Sequence, residues 1–269
     1  MSTIKNIPMF WWLKPYIIDK GYNVGHGLFS VGHIIWLFII AIVSFLLAKY
    51  YKNANENKRQ NVRRICATLI FLLEYIKLVM VQLMYPAYID QYTPIHLCSF
   101  IGIFIIFDAI YPNNKIFKYW WLYLCLICGL LGVISPSTTY PYFNFFCIHE
   151  FMFHGTLVIY SVCKIASGES PVSYKGMWLS SIFPILLIIP IYWVDTTFNK
   201  GYMFLTTPAD FPFTQFLWDV FTPIFGKAGY IASLILIGVI VFHLIHFIAL
   251  LLTKKKRTNK KRKRRKKKM

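Results

Sequence analysis

Pro94-Ile-His-Leu-Cys-Ser-Phe-Ile-Gly-Ile-Phe-Ile-Ile-Phe107 decides how this chain folds. From Phe100 onward only a glycine interrupts the apolar side chains, as in a helix surrounded by lipid, where the backbone must satisfy its own hydrogen bonds. His96, Cys98 and Ser99 stand at the start of the run. Hydrocarbon offers such groups no partner, so they require a neighbouring helix or a wet pocket. A second apolar run opens in the same way, at His149-Glu-Phe-Met-Phe-His154. The two openings point to a buried reactive site.

Composition agrees with a membrane setting. Apolar residues make up 57% of the 269 and charged residues 14%, and the mean hydropathy is +0.54, values that exclude an ordinary water-soluble domain. The net charge of +19 resembles that of a nucleic-acid binder, but thirteen of the twenty-nine basic residues fall between Lys254 and Lys268. Without them the excess is +6, sixteen basic against ten acidic residues. The six cysteines, Cys66, Cys98, Cys125, Cys128, Cys147 and Cys163, lie in or beside apolar runs rather than in polar loops, so no disulfide framework is expected. Cys125-Leu-Ile-Cys128 lacks a second pair or a redox context and reads as two small buried hydrophobes.

A bilayer core takes about 20 apolar helical residues. Seven stretches qualify, near 27–48, 62–85, 93–111, 117–134, 144–166, 176–194 and 228–252. The fold class expected is therefore all-α, a polytopic bundle of seven transmembrane helices over residues 27–252. Residues 1–26 lack the features of a cleaved leader and, with Trp11, Trp12 and Tyr16, read as an interfacial segment. Residues 253–269 read as an unfolded polybasic tail.

Lys49, Lys52, Lys58, Arg59, Arg63 and Arg64 follow the first span, Lys115 and Lys118 the third, and Lys164 and Lys175 the fifth. The connections after the second and fourth spans carry none. The bias places the first group in the cytoplasm, the N-terminus outside and the tail inside, in a plasma membrane. The tail is expected to meet anionic lipid headgroups, with RNA or ribosome contact as the alternative.

Ionisable residues within the spans are sparse and therefore informative. Glu74 and Lys77, three residues apart on one helical face, can pair and should face the bundle interior, fixing helix packing or orienting a polar substrate group. His96 and Cys98 differ by about 200° around a regular helix, so His96 is a poor base for Cys98. His154, at a similar depth from the outer side, is the natural partner. Glu150, four residues before it, can orient its imidazole through the carboxylate, which completes a nucleophile, base and orienter in outline. His149 and His154 do not reproduce the i, i+4 pair of a zinc helix, so neither metal nor cofactor is expected. His33, His243 and His246 read as packing or interfacial histidines. From the residues alone, a cysteine in a span is also ordinary core.

Pro94-Ile-His96-Leu-Cys98-Ser99, Tyr142-Phe-Asn-Phe-Phe146 leading into His154-Gly155, and Tyr202-Met-Phe-Leu205 occur in that order. With the span count, they make the chain similar to the YwaF-like bacterial integral membrane family, whose eukaryotic relatives include transmembrane protein 164. The eukaryotic branch implies an acyltransferase that moves a fatty acyl chain between membrane phospholipids through a cysteine acyl-enzyme assisted by a histidine. Carried onto this sequence, Cys98 resembles the nucleophile and His154 the base, with Tyr202 a supporting residue.

The competing reading is a non-catalytic membrane protein, a small-solute carrier or an assembly factor, whose polar residues line a path or fix packing. A carrier should show an inverted repeat with paired broken helices. Pro184 and Pro190 interrupt the sixth span, and no counterpart stands at a matching depth in the second or third. A seven-span receptor is a third possibility, with no motif behind it.

Overall fold

The computed structural model describes residues 27–84, 86, 89–112, 114–136, 142–208 and 212–266. The interfacial segment expected at residues 1–26 lies outside them. The described chain is helical: α1 (Val31–Asn53), α2 (Glu56–Met84), the single turn α3 (Ile89–Tyr92), α4 (Leu97–Ile110), α5 (Phe117–Ile134), α6 (Phe145–Ser167), α7 (Tyr174–Phe198) and α8 (Pro212–Lys266).

Six of these helices are long and apolar enough to cross a membrane. The burial pattern of α1 is the reverse of a soluble helix. α1 exposes Phe38, Phe45 and Leu46 and buries His33 and Ser44, as expected where lipid is the solvent and polar groups turn inward. The chain is thus a polytopic, all-helical membrane protein.

The stretch taken as a full third span is shorter than expected. α4 has 14 residues, about 21 Å at 1.5 Å per residue, against the roughly 30 Å of a hydrocarbon core. A residue before proline is disfavoured in helical conformation, as Thr93 is before Pro94, and His96 sits at the N-cap with φ −88° and ψ 152° rather than inside the helix. α4 ends at Tyr111, before Pro112, whose ring cannot continue it. Irregular backbone at this depth is tolerated only inside protein or a cavity.

The chain divides into two units, Met1–Ser170 and Pro171–Met269. In the first, α6 is the central helix, packed on α1, α5 and α2, while α2 also packs on α4. Ile40, Val133, Cys147, Phe151 and Val158 form the core where α1, α5 and α6 meet, and the Trp36 ring stacks on Phe151 at 5.2 Å. The Asn144 side chain caps α6 by accepting from Phe146 N at 2.8 Å. Gly168 ends it at φ 84°, a left-handed conformation that suits a residue without Cβ. α5 passes through a π-helical turn at Trp121–Cys125, every residue of which is buried. At the start of that turn Leu122 N–H donates to Ser170 Oγ at 3.1 Å, the kind of side-chain partner that serves where a helix departs from α-helical register.

In the second unit α7 and α8 pack on each other, with Trp178 against His243 at 5.3 Å and Tyr174 against His246 at 5.8 Å. α8 starts well before the expected span, at Pro212, breaks at Gly226 (φ 64°, ψ −167°), and its backbone continues as helix into the basic run as far as Lys266.

Candidate active site

Four elements of the first unit bring their polar residues to one end of the bundle. These are the C-terminal half of α2 with Glu74 and Lys77, the start of α4 with Cys98, the last turns of α5 with Cys128 and Gly132, and the first half of α6 with His149, Glu150 and His154. Because α4 begins at Leu97, Cys98 lies in its first turn, where the unsatisfied N–H groups and the helix dipole favour negative charge on a nearby sulfur.

Cys98, half-buried, stands close enough to the imidazole of His154 for the two to act on each other. His154 Nδ1 lies 3.0 Å from the main-chain carbonyl of Glu150. A carbonyl only accepts, so Nδ1 carries the ring proton and Nε2 presents its lone pair to the thiol. This tautomer can take a proton from Cys98. The orienting contact differs from the sequence expectation in one respect, since the hydrogen bond comes from the peptide of Glu150 and not from its carboxylate. An i−4 carbonyl lies directly beneath a helical side chain, whereas a carboxylate must bend back to reach it. The Glu150 carboxylate acts on His154 through its charge.

Gly132 is the floor under the ring. A Cβ there would lie 2.2 Å from His154 Cδ2 and 2.6 Å from Nε2. One turn earlier Gly129 lets α5 approach the α6 backbone, with a hypothetical Cβ 3.0 Å from the His154 carbonyl oxygen. Cys128, read as a small buried hydrophobe, is buried, and it lies near enough to Cys98 to act on it. Cys125, one turn away, instead donates to the Leu157 carbonyl at 3.4 Å. Pattern matching on C-x-x-C could not separate the two, because only the packing of α4 on α5 decides which thiol meets Cys98.

Glu74 and Lys77 form the expected ion pair at 2.7 Å, with 17% and 12% of their side chains exposed. The pair is close enough to His96 to act on it electrostatically, and Lys77 also acts on His149. His149 is buried, stacked 5.8 Å from Phe153, and bonded to the Leu73 main chain. His96, at the N-cap of α4, stands near enough to Cys98 to act on it electrostatically. Removing one charge of the pair leaves the other uncompensated and is expected to cost about 3–5 kcal/mol, while removing both costs less. Thermal unfolding in detergent of Glu74→Ala, Lys77→Ala and the double variant checks this. Additive losses would mean that the charges do not act as a pair.

Among the described residues no group of three His, Cys, Asp or Glu side chains is placed to hold a metal ion. His33 behaves as the packing histidine expected, with Nε2 2.8 Å from the Val133 carbonyl and Nδ1 accepting from Phe29 N at 2.9 Å. Tyr202 belongs to the second unit, where its N–H donates to Asp195 Oδ1 at 2.9 Å.

A second buried polar cluster occupies the other end of the first unit, and the sequence reading did not foresee it. Arg63 and Lys164, counted there as loop charges, are fully buried. Lys164 Nζ lies 2.5 Å from Asp108 and 2.9 Å from Glu169, and Arg63 reaches Glu169 at 2.9 Å and Glu56 at 2.5 Å. Tyr160 donates its hydroxyl to Asp108, and Tyr51 donates to Glu169 at 3.1 Å. Asp108 in an otherwise apolar run was the available signal. Ten residues separate Cys98 from Asp108 on α4 and His154 from Lys164 on α6, about 15 Å in each case. Between the two clusters lie Ile101, Ile105 and Leu157, all fully buried.

Residues 28–246 match the TMEM164 family. The chain belongs to that family. The match takes in α1 to α7, α8 as far as His246, and both Cys98 and His154. No curated protein and no solved structure matches the chain.

Proposed function

We propose that this member of the TMEM164 family is a phospholipid acyltransferase working through a Cys98 acyl-enzyme. The observation that supports the reading is the His154 imidazole beside Cys98, with Nδ1 held 3.0 Å from the Glu150 carbonyl so that Nε2 is the accepting nitrogen. A cysteine that merely fills space does not require an oriented imidazole.

In the first half-reaction the Cys98 proton passes to His154 Nε2 and the thiolate attacks the ester carbonyl of a donor phospholipid. The tetrahedral adduct collapses, the acyl C–O bond breaks, and the departing glycerol alkoxide takes the proton back from His154. The products are a lysophospholipid and an acyl thioester on Cys98. In the second half, His154 removes a proton from the hydroxyl of an acceptor lysophospholipid, the alkoxide attacks the thioester, and Cys98 leaves as thiolate and recovers its proton. Purified protein in liposomes, given a diacyl phospholipid with a labelled chain and an unlabelled lysophospholipid, should move label between them. Label that stays on the donor overturns the reading.

Gly132 supplies a further expected result. Gly132→Ala forces the His154 ring aside, and a misplacement of about 1 Å in a catalytic group costs on the order of 10²-fold in rate. Transfer should fall by about that factor with the protein still folded. Unchanged transfer would remove His154 from the reaction.

The seven-span topology, with an external N-terminus and a cytoplasmic tail in the plasma membrane, belongs to the same proposal. α4 then counts as a short span, and the site opens toward the outer leaflet. The basic run after Leu252 would lie against anionic headgroups, each residue contributing roughly 1 kcal/mol near the surface. Single cysteines at positions 58 and 90 in a cysteine-free background test the orientation. Impermeant reagent should label position 90 and spare position 58 in intact cells, and the reverse would invert the topology.

A further inference from the structure

At the end of the first unit away from His154, α1 and α2 meet in a turn fixed by side chains. Asn55 Oδ1 accepts from Lys58 N at 3.0 Å and caps α2, while Arg59 donates to the Tyr51 and Lys52 carbonyls at 3.1 and 3.0 Å and closes the end of α1. Beside this turn lies a groove of about 420 Å³, lined by Leu46, Lys49, Tyr50, Asn53, Ala54 and Lys58. Among the described residues no acid lines it. Glu56, Asp108 and Glu169, the acids of the neighbouring buried cluster, are already engaged by Arg59, Arg63 and Lys164. Neither Lys49 nor Lys58 pairs with a carboxylate among the described residues.

The groove lies where the helix meets lipid. Phe45 and Leu46, one turn before Lys49, are exposed apolar side chains, and Tyr50 is exposed beside it. Cations and aromatic residues that end an apolar helix in this way stand at headgroup level. His33 precedes Lys49 by sixteen residues, about 24 Å along α1, and contacts the Val133 carbonyl at 2.8 Å, next to Gly132 under the His154 ring. With a hydrocarbon core of about 30 Å, the groove and the Cys98 site face opposite leaflets.

We propose that this groove binds one anionic phospholipid of the leaflet it faces, with the phosphate between the Lys49 and Lys58 ammonium groups and an acyl chain along Leu46. Basic pockets between membrane helices take such headgroups. A zwitterionic lipid brings a cation that needs an acid, and the groove offers none, so a lipid of net negative charge is preferred. The site goes beyond the acyltransferase reading. A lipid in the opposite leaflet does not reach Cys98, so this one is a resident that ties α1 to α2 and not a substrate.

The test counts lipids on the full-length protein. Purified in neutral detergent, it is equilibrated with equal amounts of dioleoylphosphatidylglycerol and dioleoylphosphatidylcholine and weighed by native mass spectrometry, and thermal unfolding is recorded with each lipid. Wild type is compared with Lys49→Gln/Lys58→Gln, with Lys49→Arg/Lys58→Arg, which keeps both cations, and with Lys260→Gln/Lys261→Gln, which removes the same charge from the basic run. The single Gln substitutions serve if the groove pair fails to fold. Wild type should retain one phosphatidylglycerol in preference to phosphatidylcholine and unfold at a higher temperature with it. The groove Gln pair should bind it about 30-fold more weakly, as expected for two cations lost beside a phosphate. The Arg pair and the basic-run pair should keep it. Equal retention by the groove Gln variants and wild type overturns the proposal, as does an equal loss in the basic-run pair, which would reduce the effect to net charge. Glycerol 1-phosphate alone should not stabilise the protein, because chain contact with Leu46 is part of the site. Stabilisation equal to that by phosphatidylglycerol would replace the lipid with a soluble phosphate and overturn the proposal too.

Discussion

Cys98→Ala should abolish transfer of label between phospholipids, and His154→Ala should slow it about 10²- to 10⁴-fold without unfolding the protein. The two losses differ in kind because the side chains have different tasks. Without the Cys98 sulfur there is no atom to carry the acyl group, so no residual turnover is expected. Without the imidazole the thiol still stands in the first turn of α4, where helix N–H groups favour negative charge, so a slow reaction remains. Cys125→Ala is the matched control. Its thiol is buried one turn from Cys128 and points to the Leu157 carbonyl, and its removal should leave transfer unchanged. Transfer assays in liposomes on the three variants check the set, and wild-type transfer by Cys98→Ala would sink the acyl-enzyme.

The largest effect on stability is expected at the opposite end of the first unit. Lys164→Ala leaves the buried Asp108 carboxylate with Tyr160 as hydrogen-bond donor and with Arg63 Nε 3.9 Å away, which should cost about 3–5 kcal/mol. Lys164→Met with Asp108→Leu removes both charges and should recover much of that loss. Glu169 adds a pH signature. Burial alone would raise its carboxyl, but the Lys164 ammonium and the Arg63 guanidinium outweigh burial and hold it down at about 2, below its ordinary 4.5. A carboxyl depressed in the folded state contributes stability that is complete above its unfolded value and disappears as pH falls through its folded one. Detergent-solubilised protein should therefore lose stability as pH drops from about 4.5 toward 2. Glu169→Gln should be less stable above that window and flatter within it. Identical acid limbs in the two proteins would disconnect Glu169 from the network.

Membrane residence and most helix positions were legible because lipid imposes a simple rule, an unbroken apolar stretch of sufficient length. Pro94 and Pro112 mark the limits of α4, but the length rule alone reads through them, which is why a 14-residue helix passed for a full span. That His154 stands near Cys98 could be expected from helical spacing. The identity of the atom that orients His154, the contact of Cys128 and the floor at Gly132 depend on how α4 and α6 seat on α5, and no periodicity encodes that. Arg63 and Lys164 were misplaced for a related reason. A positive-inside count assumes that basic residues near a span end face the aqueous phase, whereas these two turn inward toward Asp108 and Glu169.

The most direct measurement is to look for the acyl group on the protein. Purified protein is incubated in liposomes with a phospholipid of defined chain, quenched in acid and digested, and the peptide containing Cys98 is weighed. Expected is a mass increment of one acyl chain on Cys98, removed by hydroxylamine at neutral pH, accumulating when the lysophospholipid acceptor is omitted and discharged when it is added. Label that passes between lipids while Cys98 carries no adduct under either condition would contradict a Cys98 acyl-enzyme.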